Sequence, residues 1–380
     1  MMTRFPLLAA LALCAGAHMT ASAAPDTALA SLYGPIKPGP SQRMNPLASA
    51  SVILPDTSAD EWPAIRARIR QRVLHHLGTG PVPLAPQTGT RFEEVRRYRN
   101  AGLDHVLYRY QIVDDIWGEA ILVMPKDAAS GGALRAVLTI HGTNGADGKM
   151  GAIDIDGKPH RAYGIELARR GYATLSPDLP GFGASIGGSS QQAVVNAILA
   201  KYPDWSYRGA KLLALMRAID ILDQLPAIDK GQYGAMGNSL GGGMGLYLAA
   251  LDSRVHAAVL STGVSPAATN VYRLAAGGAQ EEPARWKAIA RDGKPPYDIH
   301  EIAALCAPRA MYFIEPFNDP YNPDTQASFH AIHQAMQVYG LLGTPGNIAM
   351  LVHGRGHDTP PDVREPAYAW FERHLPARRP

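Results

Sequence analysis

The chain has 380 residues, 18% of them charged and 46% hydrophobic, which is ordinary globular composition and enough to bury a large core. A formal net charge of +3 is too small to argue for a nucleic-acid or polyanionic partner. The 38 glycines and 31 prolines fall mostly at turns, and no internal repeat is found.

Residues 1–23 read as a signal peptide. Arg4 supplies the positive start, Phe5 to Ala17 is apolar with only Cys14 interrupting, and Ala21-Ser22-Ala23 gives a small-residue cleavage site. The apolar run is too short to span a bilayer, and no later stretch is long and apolar enough to do so. A lipid anchor on Cys14 fits poorly, because Leu13 stands where a small residue is expected. The expectation is an exported protein, periplasmic or extracellular, with no stable membrane anchor. Cleavage removes Arg4 and no acid, so the balance hardly changes. It also leaves Cys306 alone, so no internal disulfide forms. In the apolar stretch Ile302 to Cys306 that thiol reads as buried and inert.

Residues 24–58, rich in Ala, Pro and Ser, read as a loosely ordered lead-in. Ser58 with Glu61 three residues on is a capping-box pattern. It opens a helix whose Trp62, Ile65, Ile69, Val73 and Leu77 recur every three or four residues, ending near Gly78. The arginines at 66, 68, 70 and 72 read as its solvated face. Three strand-like runs follow, near Phe92 to Tyr98, His105 to Val113 and Trp117 to Met124. From residue 135, apolar runs of strand length alternate with helical segments, the pattern of a parallel sheet covered on both faces. The strands are placed at Arg135 to Ile140, Ala173 to Ser176, Gln232 to Met236, Ala257 to Ser261, Ala310 to Ile314 and Ile348 to Val352. The helices are placed at Ala162 to Arg170, Tyr207 to Leu225, Leu240 to Leu251, Asp324 to Tyr339 and Val363 to Leu375. No linker divides residues 59–380, which read as one catalytic domain. Residues 265–300, with Tyr272, Trp286 and Tyr297, read as a small cap.

Three motifs carry chemistry. Gly237-Asn238-Ser239-Leu240-Gly241 follows a predicted strand and opens a predicted helix, the context in which G-x-S-x-G marks a nucleophile. The helix N-terminus beneath Ser239 favours developing negative charge. His141-Gly142-Thr143-Asn144-Gly145 ends the first parallel strand. An acyl-transfer site needs two N–H donors for its oxyanion, here the backbone groups of Leu240 and Thr143. His357, in the Gly-rich loop after the last strand, is the candidate base, with His353 as its competitor on the strand. The third member must orient that imidazole. Asp319, in the loop after the penultimate strand, is preferred, with Glu315 at the strand's end as the alternative acid.

With these motifs in hand, the chain resembles the dienelactone-hydrolase-like and acetylxylan-esterase-like branch of the α/β-hydrolases. The resemblance rests on G-N-S-L-G-G-G, H-G-T-N-G, D-L-P-G-F-G at 178–183, A-P-R-A with N-D-P, and G-H-D-T-P-P, in that fold's order. It implies an α/β-hydrolase fold, with a central mostly parallel sheet and helices on both faces, and hydrolysis of a small-molecule or saccharide ester without a cofactor. Dienelactone hydrolases use cysteine where Ser239 stands. Glucuronoyl esterases carry basic residues beside the serine, where this chain has Asn238 and Leu240, so neither activity carries over. Two other classes stay open: a peptidase of the prolyl-oligopeptidase type, and a non-catalytic binding protein on the same fold. No metal site is expected. His75-His76 face different ways on a helix, His330 and His333 lack a third ligand, and Asp154-Ile155-Asp156-Gly157 lacks the terminal Glu of a calcium loop. Tyr163, Trp205, Tyr207, Tyr272 and Trp286 divide between pocket lining and core packing. Oligomeric state is left open.

Overall fold

The computed structural model describes residues 51–80, 82–126, 132–267, 281–292, 294–322 and 324–377. The signal segment, most of the lead-in and the middle of the cap segment, Tyr272 included, lie outside them.

The three runs after the first helix form an antiparallel meander of β1 (Phe92–Asn100), β2 (Leu103–Val113) and β3 (Ile116–Pro125). It joins antiparallel to β5 (Ala173–Pro177), which lies beside β4 (Leu134–Ile140). Then come β6 (Ile228–Asn238), β7 (Val255–Ser261), β8 (Ala310–Pro316) and β9 (Ile348–His353), all parallel. The sheet order is β1-β2-β3-β5-β4-β6-β7-β8-β9. Parallel neighbours need crossovers, and helices supply them. The helices are α1 (Trp62–Leu77), α2 (Tyr163–Arg169), α3 (Gln191–Lys201), α4 (Tyr207–Leu222), α5 (Leu240–Leu251), α6 (Pro283–Asp292), α7 (Ile299–Leu305), α8 (Thr325–Leu341) and α9 (Pro361–His374).

The inner parallel strands are largely apolar on both faces because both are covered. Ala136, Leu138 and Ile140 of β4 and Leu260 of β7 join the core that holds α1, α4, α5 and α8. Their neighbours Val137 and Val259 turn to the opposite core, against Tyr163 and Leu167 of α2 and Phe371 of α9. This two-sided burial is the reason the strands read as continuous hydrophobic runs. Among the described residues, no helix is long and apolar enough to cross a membrane.

Helices α3, α6 and α7 were not expected as such. In α3 only Val195 and Ile198 are buried, too few to give a periodic signal. Helix α7 is capped by Asp298, which accepts from Ile299 N, and in sequence most of its second half shows only as the start of the apolar stretch Ile302 to Cys306. The arginine face of α1 is not wholly solvated: Arg66 donates to the Leu305 carbonyl and Arg72 pairs with Glu301 of α7. Cys306 is fully buried, and burial pushes its thiol up to about 11, as an inert packing residue requires.

Candidate active site

Ser239 sits between the end of β6 and the start of α5 with φ 59° and ψ −119°, a conformation that side chains other than glycine rarely adopt. The turn around it is too tight for side chains. A Cβ on Gly237 would lie 2.3 Å from the Gly241 carbonyl oxygen, and one on Gly241 would lie 2.0 Å from that of Ile140. The strained residue is held from behind. Ser239 N donates to Ser261 O at 2.8 Å and to Thr262 Oγ1 at 2.9 Å. Asn238, buried, donates its amide to the same Thr262 hydroxyl at 2.9 Å. Leu240 opens α5, so its N–H has no acceptor within the helix and lies beside the serine.

The two loops that follow β8 and β9 bring Asp319 and His357 together. His357 Nδ1 donates to Asp319 Oδ2 at 2.7 Å. The other carboxylate oxygen accepts from Tyr321 N at 2.7 Å and Asn322 N at 3.3 Å. Burial works against the Asp319 charge. The bond and charge of His357, then the two backbone donors, outweigh it and hold the carboxyl below its ordinary value. With Nδ1 engaged, Nε2 is the nitrogen left to work on a substrate. The rival acid is elsewhere engaged: Glu315 is fully buried and accepts from Val264 N at 3.3 Å. His353 accepts from Arg355 N at 3.1 Å, and burial pushes it down to about 4, so it stays neutral.

The loop after β4 closes the site from the other side. His141 is buried and held neutral by that burial. Its Nε2 accepts from Leu179 N at 3.1 Å, so Nδ1 carries the proton and donates to Gly142 O at 2.7 Å. In a planar trans peptide the next N–H points the opposite way, which turns Thr143 N–H away from the His141 ring. Gly142 packs against the elbow, where a Cβ would lie 3.6 Å from Ser239 Cβ and 3.9 Å from Arg161 Nη1. The rest of the loop is anchored by Lys149, whose ammonium meets Asp178 at 2.7 Å and Glu119 at 2.9 Å. Burial opposes the Lys149 charge, and these two carboxylates more than offset it.

Two contributors escaped the sequence reading. Arg161, a third exposed, donates Nη2 to the His357 carbonyl at 3.3 Å and approaches Asp358 at 3.5 Å. It therefore ties the His357 loop to the segment that leads into α2. Asn318 stitches the Asp319 loop to the His357 loop, accepting from Gly356 N at 2.9 Å and donating to Gly354 O at 3.0 Å. Asn318 lay inside the quoted N-D-P motif, beside the acid. Arg161 had no local signal, because it lies 196 residues from its partner. The aromatic candidates divide. Tyr163 and Trp205 are core residues, bonded to Ile140 O at 2.6 Å and Gly80 O at 3.2 Å. Tyr207 and Tyr297 are buried too, the latter hydrogen-bonded to Glu282. The Trp286 side chain lies outside the description.

Residues 135–291 match the family model described as the alpha/beta hydrolase fold. No curated protein matches the chain in sequence. Among solved structures, a glucuronoyl esterase from Solibacter usitatus is similar over 88% of this chain and 99% of its own, at 16% identity and a TM-score of 0.69. A promiscuous esterase of carbohydrate esterase family 15, from a marine bacterial metagenome, is similar over 87% and 98%, at 17% identity and 0.66. A glucuronoyl esterase of that family from Teredinibacter turnerae is similar over 87% and 89%, at 19% identity and 0.63.

Proposed function

On the α/β-hydrolase fold that this chain has, we propose that it is an exported serine esterase that cleaves a carboxylic ester through an acyl-enzyme. The observation that carries the reading is a serine on a strained strand-to-helix turn, on the same sheet edge as a histidine paired to a buried carboxylate. A binding protein has no use for either cost. Ser239 is the nucleophile and His357 Nε2 takes its proton. The Ser239 oxygen bonds to the ester carbon, and the N–H groups of Leu240 and Thr143 receive the oxyanion. His357 then returns the proton to the departing alkoxide, so the alcohol leaves neutral. Water repeats the sequence and releases the acid. Asp319 fixes the imidazole tautomer and offsets its charge throughout.

A saccharide ester is the substrate class we favour. The chain shares its fold with glucuronoyl esterases, although Asn238 and Leu240 put no basic group beside the serine. The deciding experiment combines a fluorophosphonate probe with matched p-nitrophenyl ester and peptide amide substrates. Wild type should label and cleave the ester in preference to the amide. Ser239→Ala should lose labelling and on the order of 10⁴-fold in kcat. Labelling that persists in Ser239→Ala would remove the serine from its role.

A further inference from the structure

We propose that Tyr321 forms the alcohol-side subsite of this site, selecting esters whose leaving alcohol carries a ring. The inference rests on the Ser239–His357 reading. Its starting point is where the alcohol must leave. When the acyl-enzyme forms, the bond from Ser239 Oγ to the carbonyl carbon is made and the bond from that carbon to the alkoxy oxygen breaks. The proton from Ser239 passes through His357 to the leaving oxygen. The alcohol therefore departs beside the imidazole, and whatever flanks that ring meets it.

Tyr321 flanks it. The two rings meet edge to face, with centroids 4.7 Å apart and planes at 71°. Tyr321 is nonetheless 64% exposed, so most of its surface is open to a second partner. The residue is held in register with the reacting groups, because its backbone N–H donates to Asp319 at 2.7 Å. Its surroundings point the same way. Phe317, four residues earlier in the same loop, is 59% exposed, and Val352, at the end of β9, is 42% exposed. Together with Tyr321 they make three of the six large hydrophobic residues that are exposed in the described chain, and all three lie on or beside the loops carrying Asp319 and His357. Exposed apolar side chains that fall on or beside the two loops of one site fit a contact surface better than chance scatter does. An aromatic face recognises another ring by stacking or by C–H contact, and a methyl group covers too little of it to benefit.

The test compares methyl and benzyl esters of one acid, so that the acyl half and deacylation are common to both. In Tyr321→Ala and Tyr321→Leu the benzyl-to-methyl ratio of kcat/KM should fall about five- to tenfold, while Tyr321→Phe keeps the wild-type ratio to within about twofold. Leucine still fills the space against His357 but offers no flat face, so it guards against a general disturbance of the base. An ester of a glucoside 6-hydroxyl, run beside the benzyl ester, assigns the ring. The ester whose rate depends on Tyr321 names the alcohol as saccharide or aromatic. A ratio unchanged in Ala and Leu, with both esters falling in step, would mean that Tyr321 acts only through His357 and overturns the subsite. A Phe variant that loses as much as Ala overturns it as well. If wild type cleaves no ester and takes no fluorophosphonate, the esterase reading falls and takes this inference with it.

Discussion

Replacing Asp319 by asparagine puts an amide where two kinds of partner already fix the polarity. One carboxylate oxygen accepts from Tyr321 N and Asn322 N, and the other faces His357 Nδ1 at 2.7 Å. An amide has one acceptor end. Two backbone donors outvote one side chain, so the amide oxygen stays with Tyr321 and Asn322 and the NH₂ turns to His357. Nδ1 must then accept, which places the ring proton on Nε2, the atom needed to receive the Ser239 proton. The loss in kcat should be on the order of 10⁴-fold, the cost of a wrong tautomer, rather than the smaller cost of one hydrogen bond. Stability follows a separate sign. A carboxyl held below its ordinary value stabilises the fold fully above that value and loses the contribution as pH falls through the lower, folded one. The melting difference between wild type and Asp319→Asn should therefore close below about pH 4. Steady-state hydrolysis of p-nitrophenyl acetate reads the loss in kcat, and thermal melts read the stability difference. An Asp319→Asn enzyme within about tenfold of wild type would refute the tautomer reasoning. So would a larger loss in Glu315→Gln, which keeps an acceptor for Val264 N.

Two further outcomes are expected. Glu282 is buried at 1% exposure against Arg285, Arg208 and Tyr297. Burial opposes its charge, and Arg285 and Arg208 nevertheless hold the carboxyl down at about 2. Glu282→Gln strands those guanidiniums and should cost about 3–5 kcal/mol in a denaturant melt at pH 7, with the deficit shrinking only as pH falls from the ordinary carboxylate range toward about 2. An unchanged midpoint would show that the network is not needed for stability. For export, intact-mass analysis of protein recovered from the periplasm or medium should find a chain beginning near Ala24, and active cytoplasmic protein that retains Met1 would contradict the signal segment.

What the sequence determined by itself was whatever local chemistry dictates. Alternating apolar runs and helices predicted the parallel strands β4 to β9, because a strand covered on both faces, as β4 and β7 are, is apolar along most of its length. The glycines around Ser239 predicted the turn, because no side chain fits within 2–3 Å of a neighbouring backbone. The Gly-rich placement of His357 and the loop placement of Asp319 were legible for the same local reason. Only the tertiary structure decided which carboxylate meets His357. Asp319 and Glu315 differ by four positions, and the end of β8 buries one under Val264 while the loop turns the other toward His357. Only it brought Arg161 to the His357 carbonyl and Asn318 to Gly354 and Gly356, and only it sorted Tyr163 and Trp205 into the core while leaving Tyr321 open beside the imidazole. Those contacts join residues far apart in the chain. They depend on how loops from separate strands converge at one edge of the sheet, and no periodicity or spacing within a segment encodes that convergence.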